Sequence, residues 1–168
     1  RQVLHDSLKK LVKTGDLEKM MAYYNGEDGL EIIAPKSKDG FPVMQTMVAE
    51  IGSGNLSGKM YKGYIPGWGN LTGPEALEHM MQKASENGGD FDPSTGFDYT
   101  QLISKFAMGA VFYNQAVNNY LGSKMEIGQK PNNKPYKDGA YYTGKEHSWD
   151  EAFGYWGAPA HSLTLTAE

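Results

Sequence analysis

Cysteine is missing from the sequence altogether. That excludes disulfides, thiolate catalysis and zinc–thiolate centres, though it does not fix a compartment. Long apolar runs are missing too, and no stretch approaches the roughly 20 residues that a bilayer-spanning helix needs. Positive charge is in short supply. Sixteen Lys and Arg against twenty Asp and Glu leave a net charge of −4. Phosphate backbones need a cationic face to release counterions, so no nucleic-acid partner is expected. What the chain does have is 39% hydrophobic and 12% aromatic residues over 168 positions, a globular composition rather than a disordered one. Twenty-one glycines and eight prolines predict long, well-punctuated connections. The first residue is Arg1 rather than Met, so residues upstream are expected, and nothing in the run itself reads as a secretion signal.

Taken in order, Leu4, Leu8, Leu11 and Val12 recur at helical spacing opposite Lys9, Lys10 and Lys13, which predicts an amphipathic helix over 2–13. His5, near its start, is expected to be exposed. Gly15 ends that helix, and Asp16 can cap a second over 16–25 with Leu17, Met20, Met21 and Tyr24 on one side. Residues 26–73 are punctuated too often for long elements, with one short helix expected over 43–51. Within them, the run Tyr61 to Gly69 combines aromatics with permissive backbone, and Tyr64 and Trp68 are candidate ligand-lining residues. Such runs more commonly pack as an apron over a helical core. Thr72 and Glu75 have capping-box spacing and Pro74 suits a first turn, which predicts a helix over 74–87 with Ala76, Leu77, Met80, Met81 and Ala84 inward. His79 is expected on that helix, partly buried. Asp90, Asp92 and Asp98 superficially resemble a calcium loop, but the EF-hand glycine and its closing glutamate are absent, so turn and cap chemistry is the better reading. A long helix follows over 99–121. Its stripe reads Leu102, Ile103, Phe106, Ala107, Ala110, Tyr113, Asn114, Val117, Tyr120 and Leu121 at steps of three and four. Residues 123–139 form a polar, solvent-facing loop.

The densest chemistry lies in Tyr141 to Gly157. Two registers compete there. In one, Ser148 is the N-cap, Glu151 closes a capping box, and the helix covers 148–156. In the other, the helix begins near Thr143, which sets His147 one turn from Asp150 and Glu151, and Glu146 one turn from Asp150. An imidazole and carboxylates on one face suit a divalent metal or a proton-transfer pair. The candidate ligands are therefore His147, Asp150, Glu151 and Glu146, with His147 expected to turn inward. Tyr142 and Trp149 join Tyr64 and Trp68 as candidate ligand-lining residues. By size alone, Trp149, Phe153, Tyr155 and Trp156 are expected in the core. No HExxH, nucleophile elbow, Walker loop or dinucleotide fingerprint is present.

The run Glu146-His147-Ser148-Trp149-Asp150-Glu151-Ala152-Phe153-Gly154-Tyr155, after the pair Tyr142-Thr143, resembles the hallmark of an envelope-lipoprotein family of Gram-negative bacteria known only as a domain of unknown function. Lys105 to Ala110 and Tyr113-Asn114-Gln115 are similar to a second helix of that family. The family in turn resembles the imelysins, helical envelope proteins associated with iron or other metal uptake and once classed as metallopeptidases. Their "HxxE" motif would fall on His147 and Asp150, with aspartate in place of glutamate. The resemblance implies an exported protein of the periplasm or outer-membrane surface, lipid-anchored in its precursor. It also implies an outer-membrane transporter or other surface protein as partner, and a longer whole of which this chain is the N-terminal part.

The sequence therefore predicts an all-α helical bundle of imelysin type, a single domain or part of one, with long irregular loops. The favoured function is non-enzymatic binding of a ligand such as a divalent metal or iron ion. Two alternatives stand beside it. One is a metal-dependent hydrolase with Glu151 or Asp150 as base and His161 or His79 as a further ligand. The other is a structural adaptor whose Trp149 helix is core and cap.

Overall fold

A computed structural model describes residues 1–33 and 45–157. His161 and residues 43–44 of the expected short helix lie outside the described residues. The fold is all-α, with one small two-stranded sheet among the described residues. The chain divides into two compact units, Arg1–Val111 and Phe112–Glu168.

Among the described residues, unit 1 is built on four α-helices, α1 (Gln2–Val12), α2 (Leu17–Asn25), α3 (Gly73–Glu86) and α4 (Tyr99–Ala107). Local chemistry sets their limits. The Asp16 carboxylate accepts from the Lys19 amide at 3.0 Å to start α2, satisfying a donor that would otherwise have no partner in the first turn. Gly26 ends α2 at φ 63°. A Cβ there would run into the carbonyl oxygen of Gly54, so both the left-handed backbone and the close approach require glycine. Glu75 accepts from the Thr72 amide at 2.8 Å to open α3, and Asp98 accepts from the Gln101 amide at 3.0 Å to open α4.

α1 packs on α2 and α4, and α3 on α4 and α2. The shared interior holds Leu4, Leu8, Met20, Tyr24, Leu77, Met80, Met81 and Ile103. The inward set expected for α3 is the one the structure buries. His5 departs from expectation. It is buried, its Nε2 lies 3.1 Å from the Ser104 carbonyl oxygen and its Nδ1 3.0 Å from Asp6, so it fastens α1 to α4 instead of facing solvent.

In place of the helix expected over 43–51, the described residues form a single 3₁₀ turn, Val48–Glu50. The Glu50 carboxylate is drawn back onto the Thr46 and Met47 amides, each at 2.8 Å, which closes the turn rather than extending it. Residues 90–98 form a hairpin, β1 (Phe91–Asp92) paired antiparallel with β2 (Phe97–Asp98). Inside it, Asp92 accepts from the Ser94 and Thr95 hydroxyls at 2.6 and 2.8 Å. Residues 63–73 form a closed loop, with Ile65 N donating to Leu71 O and Gly73 N to Gly63 O. Trp68 sits at its tip.

The helix expected over 99–121 changes its winding. Beyond Ala107 the chain is π-helical over Met108–Tyr120, and Leu121 N still reaches back five residues to Ala116 O at 2.9 Å. Each π turn takes in an extra residue, so the buried face drifts away from α spacing. Burial falls on Ala107, Val111, Ala116 and Tyr120, with Ala110 and Gln115 beside them. Tyr113 and Leu121, assigned to the inner stripe on α spacing, are exposed instead.

In unit 2, Tyr120 stacks on Tyr155 with centroids 5.5 Å apart, and Lys124 Nζ lies 3.7 Å over the Tyr120 ring, a cation–π contact. The last helix among the described residues, α5, runs Gly144–Trp156 and buries Ser148 and Ala152.

Candidate functional site

Two capping boxes five residues apart compete to start α5, Thr143-x-x-Glu146 and Ser148-x-x-Glu151. The first prevails, so the helix begins four residues before the expected 148–156 span. Thr143 N donates to Glu146 Oε2 at 2.7 Å and Glu146 N donates back to Thr143 Oγ1 at 3.3 Å, the reciprocal arrangement of a capping box. Ser148 is thereby placed inside the helix, where its hydroxyl donates to the Gly144 carbonyl at 3.1 Å. The helix ends at Gly157 with φ 80°.

With that start, His147 and Glu151 lie one turn apart on the same face. His147 Nε2 is 3.1 Å from Glu151 Oε1, with side chains 29% and 37% exposed. The imidazole therefore stands at the surface of unit 2 rather than inside it, but with the acidic neighbour that was expected.

Its other neighbours are aromatic. A short antiparallel bridge joins Pro135 to Thr143, and Tyr136 N donates to Tyr142 O at 2.8 Å. That loop brings Tyr136 and Tyr142 against His147, with ring centroids 4.3 and 5.6 Å away and planes within 28° of parallel. Below the helix start, Lys145 Nζ donates to the carbonyls of Met125 and Glu126 at 2.6 and 3.1 Å. This ties α5 to the turn Ser123–Met125.

The other candidate ligands are placed differently. Glu146 is committed to the cap, and the Thr143 amide and hydroxyl hold its carboxyl below the usual carboxylate range. Asp150 is exposed. Among the described residues, no three His, Asp or Glu side chains converge as a metal cage. His79 belongs to unit 1, on α3, where its ring meets Trp68 edge-on at 6.3 Å.

Of the aromatics, Tyr142 lines the His147 site. Tyr64 stands 71% exposed, and Trp149, Phe153 and Trp156 are also exposed, against the expectation that the last three are core. The helix interleaves polar and apolar residues all round, and its buried line is the small pair Ser148 and Ala152. The large rings fall on other faces. Tyr136 was missed because it sits in a polar loop with no motif around it, and only the pairing of 135 with 143 reveals it.

An all-α protein with an imidazole–carboxylate pair against a tyrosine wall is the class that fold and site define. The chain belongs to the family described as Domain of unknown function (DUF4856), whose model matches residues 80–167. Neither the curated proteins nor the solved structures give a match.

Proposed function

We propose that this protein is a ligand-binding protein of the cell envelope, and that a divalent cation, iron included, is the ligand taken at His147 and Glu151. The observation that carries this reading is the 3.1 Å approach of Nε2 to Oε1. A neutral imidazole nitrogen and a carboxylate oxygen one helical turn apart form a donor pair suited to a first-row divalent ion. A metal takes both donors in their unprotonated form, so uptake competes with protonation. Tyr136 and Tyr142 fix the ring plane, which lowers the cost of ordering the ligand on binding. With two protein donors, the remaining positions fall to water or to a chelating group that arrives with the ion. The envelope location, lipid anchor and imelysin kinship rest on the resemblance of residues 146–155, and a transporter or other surface protein is the partner that the location implies.

Calorimetry with ferrous, ferric, zinc, copper and calcium ions tests this reading. Wild type is expected to bind at least one of them, His147→Ala to abolish that heat, and Glu151→Gln to weaken the binding. Negligible heats from all five, or heats unchanged in both variants, would remove the metal reading.

One observation favours a second reading, an adaptor. Trp149, Phe153 and Trp156 are 56%, 49% and 75% exposed along α5, and large exposed rings of this kind mark contact surfaces more often than solvent faces. The hydrolase alternative gains less support, because Glu151 is engaged with His147 rather than poised beside a substrate.

A further inference from the structure

Unit 1 contains an open cleft of about 460 Å³ that none of the foregoing uses. Its volume lies within the range of small-molecule sites, which are lined by aromatic residues with a few placed polar groups. Trp68 and His79 form one wall, 6.3 Å apart and edge to face. Phe97 and Tyr99 form another, likewise edge to face at 6.2 Å. Between them lie Lys83, Glu86, Asp92, Ser94 and Thr95.

The polar groups are largely matched to one another. Lys83 Nζ is 2.7 Å from Glu86 Oε2, and Gln82 donates to the other Glu86 oxygen at 3.2 Å. Asp92 accepts from the Ser94 amide and from both hydroxyls of Ser94 and Thr95. An anionic ligand would meet two carboxylates against one ammonium. A cationic ligand would find both carboxylates already engaged by donors. A wholly apolar one would strip water from these groups without replacing their bonds. What remains on offer is hydrogen-bonding capacity: Glu86 is paired with the one ammonium, and the Asp92 charge is held by three neutral donors. The Ser94 and Thr95 oxygens have given their protons to Asp92 and keep lone pairs, and Lys83 keeps N–H donors.

We propose that this cleft binds a neutral saccharide ring. A pyranose has the matching shape. Its axial C–H groups make an apolar face that settles on the electron-rich face of Trp68 or Phe97, while its equatorial hydroxyls reach the lone pairs of Ser94, Thr95 and Glu86 and the protons of Lys83. The Trp68 loop and the β1–β2 hairpin supply the two sides. Trp68 is set at its loop tip by the left-handed turns at Gly67, Gly69 and Asn70, so the aromatic wall is a built feature of that loop. The cleft shares no residue with the His147 site, so the outcome here leaves the cation reading untouched.

Saturation-transfer NMR on the whole chain tests the proposal with maltose, cellobiose, N,N′-diacetylchitobiose and mannobiose as probes, glucose 6-phosphate as the anionic control and tetramethylammonium as the cationic one. Ring protons of at least one disaccharide are expected to receive saturation in wild type and to lose it in Trp68→Ala and in Phe97→Ala. Phe97 is 45% exposed, so its variant carries the test should Trp68→Ala fail to fold. No transfer to any of the four disaccharides, transfer that survives in the folded variants, or transfer to a charged control alone would each overturn it.

Discussion

His147 Nε2 and Glu151 Oε1 meet at 3.1 Å across one turn of α5, with the imidazole stacked against Tyr136 and Tyr142. Pairs this exposed contribute little to folding, because solvent screens the charge and ordering two side chains offsets the gain. Glu151→Gln should therefore change the unfolding free energy by less than about 1 kcal/mol in a urea titration, while weakening cation uptake. A large loss of stability would make the pair a structural tie instead.

Trp149 supplies a second discriminating substitution. Were it core, truncation to Ala would cost about 3–5 kcal/mol. The ring is 56% exposed, so Trp149→Ala should alter the unfolding free energy in a urea titration by no more than about 0.5 kcal/mol, the range of ordinary surface changes.

Tyr24 is fully buried, yet its hydroxyl has no hydrogen-bond partner among the described residues. Burial pushes its pKa upward. A buried hydroxyl without a partner carries a desolvation penalty that its removal relieves. Tyr24→Phe should leave stability unchanged or raise it by about 1 kcal/mol; a loss of similar size would reveal a partner for that oxygen.

The helix starts foretell how the fold responds to acid. Glu75 and Glu146 are both lowered from the ordinary value of 4.5, the first by the Thr72 side chain and amide, the second by the Thr143 amide and hydroxyl. A carboxylate with a depressed folded pKa stabilises fully above its unfolded value and loses that contribution as pH falls through the folded one. Stability should therefore be level above about pH 5 and decline below pH 4.5. Replacing both glutamates by Gln should make that decline shallower, with Asp16, Glu50, Glu86 and Asp92, also lowered, carrying the rest. Thr143→Ala, which removes the uncharged half of the α5 cap, should cost about 1 kcal/mol at neutral pH.

Much of unit 1 was legible in the sequence because its signals are local and agree with one another. Asp16, Thr72 with Glu75, and Asp98 each cap where their spacing places them, and the 3.6-residue period of α3 marks Ala76, Leu77, Met80, Met81 and Ala84 unambiguously. Three features were hidden for physical reasons. The π winding after Ala107 shifts the inner face without any sequence mark, so Tyr113 and Leu121 read as core. Two capping boxes five residues apart give the start of α5 no single local solution, and a non-local bond joins the one that forms, Asn132 accepting from Thr143 Oγ1 at 2.9 Å. His5 is buried by a contact 99 residues away, beyond the reach of any local pattern. Of the candidate site, the turn relating His147 to Glu151 was readable from helical spacing, and the Tyr136 wall was not.

The central claim is that His147 presents its Nε2 to a cation together with Glu151. Long-range proton–nitrogen NMR of the imidazole rings, recorded while zinc is added to the whole chain, addresses it most directly. The account predicts that the His147 Nε2 resonance alone moves to a metal-bound position, and that Glu151→Gln shifts the titration to higher zinc concentrations. An unmoved His147 ring, or a response confined to His5, His79 or His161, would contradict it.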